Sequence, residues 1–263
     1  MWDLVSRQNQ SAHDAALALW ESGDSVGDAV HSLDWGQYGD LQRGDYSRSN
    51  TWINRLEALV EQSDRQQRAV STLPLLRARH IVESEQWKIQ PVRDDSTGHE
   101  LLATGLSAIR KGDLSTARAV DKALTKLADD GQGEDKIARM EVAALLAASE
   151  GRNDDAIQLM DSAISLVETL RAPNGAASPV KPPYELYGEL LLQLEQPSEA
   201  LAKFTTALQR MPNRMRSLLG AARASSKIGD TAGARRFYST IVEYWVGSPD
   251  NPAYKEAAQF SSN

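Results

Sequence analysis

Four histidines and one short basic stripe are the residues of this chain whose types and spacing could do chemistry. His31 and Asp34 stand three residues apart, as do His80 and Glu83, so on a helix each pair shares one face and offers two metal ligands. A zinc helix needs a third ligand at a set spacing, and neither pair has one. The alternative for each is a histidine hydrogen-bonded to its own helical neighbour or packed in a seam. No metal site is therefore expected, with His31 and Asp34 as the weak candidates. Arg216, Arg223 and Lys227 are seven and four residues apart, which puts three cations on one helical stripe. Such a stripe can hold carboxylates, with arginine binding them through two parallel hydrogen bonds.

Other chemistries lack their signatures. There is no G-x-S-x-G elbow, phosphate loop or dinucleotide fingerprint. Gly131-Gln132-Gly133 reads as a plain loop, without the strand and helix that a phosphate cradle requires. The chain has 0 Cys, so disulfide, zinc-thiolate and thiol chemistry are excluded. A net charge of −7 argues against a nucleic-acid partner, which needs a basic face. No window reaches the run of about 18 apolar residues that a membrane span needs, and residues 1–20 lack the apolar core of a signal peptide. The expectation is a soluble, non-catalytic chain without cofactor, with a cytoplasmic location favoured.

What must position these residues is helical. Apolar residues recur at three- and four-residue spacing in most segments. Only 3 Phe are present, which suits thin packing of helix on helix. The clearest unit is YELYGELLLQLEQPSEALAKFTTALQRMP, residues 184–212. Tyr184, Tyr187-Gly188, Leu191, Ala200, Phe204 and Pro212 follow one pattern: bulky residues on both helices, small residues at the crossing, proline at the end. Ala200 to Ala234 and Phe204 to Tyr238 are each 34 residues. Gly-Asp corners recur at Gly23, Gly44, Gly112 and Gly229, pairing a preferred helix stop with a preferred start.

This pattern resembles the tetratricopeptide repeat family, whose period is 34 residues. HSLDWGQYGDLQRGDY and PNRMRSLLGAARASSKIGDTAGARRFY are similar to blocks of larger bacterial proteins of that family without an assigned role. The resemblance implies an all-α, right-handed α-solenoid of antiparallel helix pairs. Residues 1–263 form a single array. In it, 1–22 is an unpaired helix of a truncated repeat; 26–62, 65–91, 98–130, 136–171, 183–212 and 214–246 are helix pairs; 251–260 is a capping helix. In the 65–91 pair, Trp87 opens a short second helix.

The family binds peptides or partner helices in a concave groove lined by the first helix of each pair. Projected onto this chain, the groove is formed by Glu185, Glu189, Leu192, Arg216, Leu219, Arg223 and Lys227. The implied role is a protein–protein interaction scaffold or adaptor for a protein or peptide carrying acidic groups. Glu189 and Arg223 lie one period apart and are alternatively a mere ion pair between neighbouring helices. Two further readings stand beside this one. The chain is the C-terminal part of a larger protein whose metal or enzymatic site lies upstream, or it self-associates through the ends of the array. Trp2 and Trp20 are the aromatics assigned to a missing partner helix.

Overall fold

The computed structural model describes residues 1–131, 133–171, 173 and 175–261. Among them the secondary structure is helical, without strands, and the helices stack as a solenoid. They are α1 (Trp2–Leu19), α2 (Gly27–Leu41), α3 (Tyr46–Gln62), α4 (Gln67–Ser84), α5 (Gly98–Arg110), α6 (Leu114–Asp130), α7 (Gly133–Ser149), α8 (Asn153–Thr169), α9 (Pro183–Gln193), α10 (Pro197–Arg210), α11 (Met215–Lys227), α12 (Thr231–Tyr244) and α13 (Pro252–Ser261). The sequence punctuates them. Gly44, Gly112 and Gly229 have positive φ, which glycine adopts without steric cost. The aspartate after each caps the next helix by accepting a backbone N–H, from Arg48, Thr116 and Gly233 respectively. Gly23-Asp24 differs, because α2 starts only at Gly27, with Val26 as its N-cap.

Two layers result. Helices α2, α4, α5, α7, α9 and α11 pack each against the next and form the inner layer. Helices α3, α6, α8, α10 and α12 lie outside, each bridging two inner helices or, for α12, α11 and α13. Burial separates the layers. In α5, the eight residues Leu101 to Ala108 are all buried, as are most residues from Met215 to Ser225 of α11. Outer helices bury one stripe only, such as Ala200, Phe204 and Ala207 of α10. A helix buried on every side is part of a core, whereas an amphipathic one covers it.

Three expected assignments are corrected. Helix α1 is not unpaired, because it packs along α2 and seats His13 against the Ala29 carbonyl at 2.9 Å. The 65–91 pair is a single helix: α4 ends at Ser84, Glu85 is left-handed, and no helix forms around Trp87. Trp2 does not await a partner. It lies edge-on to Tyr38 with centroids 5.3 Å apart and donates its indole N–H to the Asn213 carbonyl at 2.7 Å. Gln132 of the glycine loop, and Ala172 and Asn174 of the loop before α9, lie outside the described residues.

The Trp2 bond spans 211 residues and is one of several that close the array. Val246 N–H donates to the Arg43 carbonyl at 2.9 Å, and the Trp245 ring meets Tyr46 edge-on at 6.0 Å. The N-terminal helices are thereby fastened to the last repeats.

The small residues at the crossings work as the pattern demands. Phe204 is fully buried between α9 and α11, and a Cβ added at Gly188 would come within 2.8 Å of its ring. One added at Gly220 would overlap the ring outright. Gly220→Ala is expected to cost about 1–3 kcal/mol through overpacking. Urea unfolding would measure it, and the added Phe204→Leu change should recover part of the loss.

Candidate functional site

The corner between α10 and α11 aims a fully buried charge. Asn213 is left-handed (φ 58°) and Arg214 is extended before it caps α11. This turns the Arg214 side chain inward, where it is 0% exposed. Its Nε and Nη2 donate to the two Glu185 oxygens at 2.7 and 3.0 Å. Its Nη1 pairs with Glu83 of α4 at 2.6 Å and donates to the Tyr38 hydroxyl of α2 at 3.2 Å. Ser217 adds a third donor to Glu185 at 2.6 Å. Lys181 then bridges Glu185 and Glu189 at 2.9 and 2.5 Å. Arg216 donates twice to the Glu83 carbonyl, at 2.8 and 2.6 Å, and pairs with Glu85 at 2.8 Å.

The electrostatics follow from this packing. Burial opposes ionisation of Glu185, but Arg214 and Lys181 overcome it and hold the carboxyl below the usual carboxylate range. Burial likewise pushes the Tyr38 phenol up to about 12. Glu141 of α7 is the exception. It is fully buried, and neither carboxyl oxygen has a hydrogen-bond partner. Burial raises it well above the ordinary value, Lys181 opposes that, and Glu185 and Glu189 add to it.

Above this cluster is a groove of about 480 Å³ between α9 and α11. Leu192, Leu219 and Gly220 supply its apolar surface, and Glu85 and Arg110 close it from the ends of α4 and α5. Glu189, Leu192, Arg216, Leu219, Arg223 and Lys227 all line it, whereas Glu185 is buried beneath in the ion cluster. The interhelical pair between Glu189 and Arg223 does not form. Glu189 is held by Lys181 and, at 3.5 Å, by Arg110. Arg223 instead holds Glu256 of α13 through Nε and Nη2, at 2.9 and 2.7 Å. Lys227 pairs with Glu195 at 2.8 Å.

A family model described as tetratricopeptide repeat matches residues 188–252, from the middle of α9 to the start of α13. Over that stretch the chain resembles tetratricopeptide repeats. No curated protein matches it. Such repeats generally serve protein–protein interaction and are typically non-catalytic. Among the described residues no helix is long and apolar enough to cross a membrane.

Of the two histidine pairs, Asp34, His80 and Glu83 are engaged within the fold. Asp34 is bound by the buried Arg79 at 2.6 Å, while His31 is exposed beside the Trp35 ring. His80 bonds the Ser49 hydroxyl at 2.9 Å and Glu83 belongs to Arg214. No group of three or more potential ligands comes together among the described residues. Sequence reasoning passed over Arg214, Lys181 and Glu141. Glu141 carried a usable signal, a lone acid inside the apolar run of α7. Arg214, at a loop corner, carried none.

Arg214→Met should destabilise the fold by about 3–5 kcal/mol, because it strands two buried carboxylates. The urea midpoint reports this, and adding Glu83→Gln and Glu185→Gln should return part of it. Glu141 titrates higher when folded than when unfolded. Its contribution is therefore fully present below the unfolded carboxylate pKa, near ~4.3, and is lost as pH rises toward the raised folded value. Glu141→Gln should match the parent in melting temperature near pH 4 and exceed it at pH 7 and above.

Proposed function

We propose that this chain is a non-catalytic interaction scaffold, working as one continuous array, that holds an acidic peptide segment in the groove between α9 and α11. The observation that carries the proposal is the two-point grip of Arg223 on Glu256. It demonstrates an arginine fork in the groove whose geometry fits a carboxylate. The acid it holds is on the chain's own surface, with Arg223 half-exposed, so a partner's carboxylate can take its place. Lys227 repeats the arrangement one helical turn on, where Glu195 is 75% exposed. Leu192 and Leu219 also line the groove and give a bound segment an apolar contact.

Exposed ion pairs contribute only about 0–1 kcal/mol to stability, so these cations can be changed without unfolding the protein. Arg223→Glu and Lys227→Glu together should reduce capture of acidic peptides from an array by at least tenfold, with the melting temperature nearly unchanged. Undiminished capture would rule out this groove. Equal loss of capture and of stability would assign both residues to the framework.

A further inference from the structure

Glu256 is held by more than Arg223. Tyr238 of α12, which also lines the groove, donates its hydroxyl to Glu256 Oε1 at 2.6 Å. Arg223 Nε donates to the same oxygen at 2.9 Å and Nη2 to the other at 2.7 Å. The carboxylate therefore sits in a cradle of three donors from two helices. Burial disfavours its charge, but Arg223 and Tyr238 overcome this and hold the carboxyl below its usual range. At the other end of the stripe the arrangement is looser: Lys227 and Glu195 share one contact, and Glu195 is 75% exposed.

Helix α13 has anchors of its own beside this acid. Tyr254 stacks on Trp245 with ring centroids 5.7 Å apart, and Phe260 lies on the Tyr238 ring at 4.8 Å. Ala257, between them in the sequence, is fully buried. These residues form the apolar stripe by which α13 joins the cluster of α11 and α12. Glu256 stands at the edge of that stripe, with its side chain 33% exposed. Its side-chain torsions have alternative staggered positions, so the carboxylate can leave the cradle while the helix stays docked.

We infer that α13 is the groove's built-in competitor: Glu256 fills a carboxylate cradle made by Arg223 and Tyr238, and a partner's acidic side chain binds there by displacing it. This rests on the acidic-peptide reading of the groove and adds its regulation. At Arg223 a guest carboxylate makes no additional ion pair, because it replaces one already formed. The apparent affinity is then the intrinsic affinity reduced by the fraction of time the cradle is empty. An acid tethered in place competes at a high effective concentration, which keeps that fraction small. Once Glu256 has left, its three donors receive the guest, so Tyr238 becomes a residue that selects for a carboxylate.

The test uses the full chain and two fluorescent peptides, one of alternating Glu and Leu and one of alternating Lys and Leu. Glu256→Gln should raise affinity for the Glu/Leu peptide about tenfold, the gain from freeing a cradle occupied about nine-tenths of the time. The Lys/Leu peptide should not gain, and hydrogen exchange in α13 should stay as in the parent. Adding Tyr238→Phe should cost more affinity in the Glu256→Gln background than in the parent, where guest and competitor lose the same bond. Suppose Arg223→Glu with Lys227→Glu abolishes binding but Glu256→Gln leaves it unchanged: the inference is then overturned and the groove reading stands. If neither the parent nor Glu256→Gln binds the Glu/Leu peptide, both are overturned. A gain that comes with faster exchange throughout α13 would place the block in the helix and not in its carboxylate, which also overturns the inference.

Discussion

Arg214, without access to water and held between Glu83 and Glu185, is the contact on which this architecture depends. A tetratricopeptide array is ordinarily held together by neighbours only, each repeat touching the next. Here one guanidinium joins α4, α9 and α11, with Tyr38 of α2 at its edge. Burying such a pair gains little over an apolar substitute of the same volume, but leaving either partner alone is expensive. The interaction therefore acts through specificity. With Glu83 and Glu185 both present, only a packing that brings Arg214 to them avoids a stranded charge.

Closure explains why the inner helices are buried all round. In an open superhelix their inner faces would meet solvent and line a long groove. In this chain those faces meet Lys181, Arg214 and Arg216 with their carboxylates, and a groove remains accessible between α9 and α11. What stays open there is a short groove rimmed by exposed ion pairs. Glu141 shows the cost of this arrangement, as a carboxyl enclosed by the same packing without a partner of its own.

The irregular α4–α5 connection belongs to the same design. Pro91 and the polar run after it cannot continue a helix, yet Trp87, Ile89 and Val92 still pack, half-buried, against the core. The return run meets the needs of the inner layer and leaves those of the outer layer unmet. This is how a regular lattice acquires a cleft without losing the packing of its core.

Much of this was legible in the residues themselves. The 34-residue step from Phe204 to Tyr238, the small residues at the crossings and the Gly-Asp corners are local properties, fixed by periodicity and backbone sterics, and they gave the helices and their stacking. That Arg216, Arg223 and Lys227 share one face was also legible, because a stripe at helical spacing stays a stripe wherever the helix is placed. Trp87 misled, since an apolar periodicity of a few residues fits an extended run as well as a helix. Glu185 was assigned to the groove because the sequence does not state which faces of successive helices are brought together. Only the tertiary structure decided that Trp2 would meet Asn213, that Asp34 would serve Arg79, and that Arg214 would find Glu83 131 residues earlier in the chain. Such pairings are set by superhelical curvature. That curvature is the sum of small rotations at every crossing, and no single stretch of the sequence encodes it.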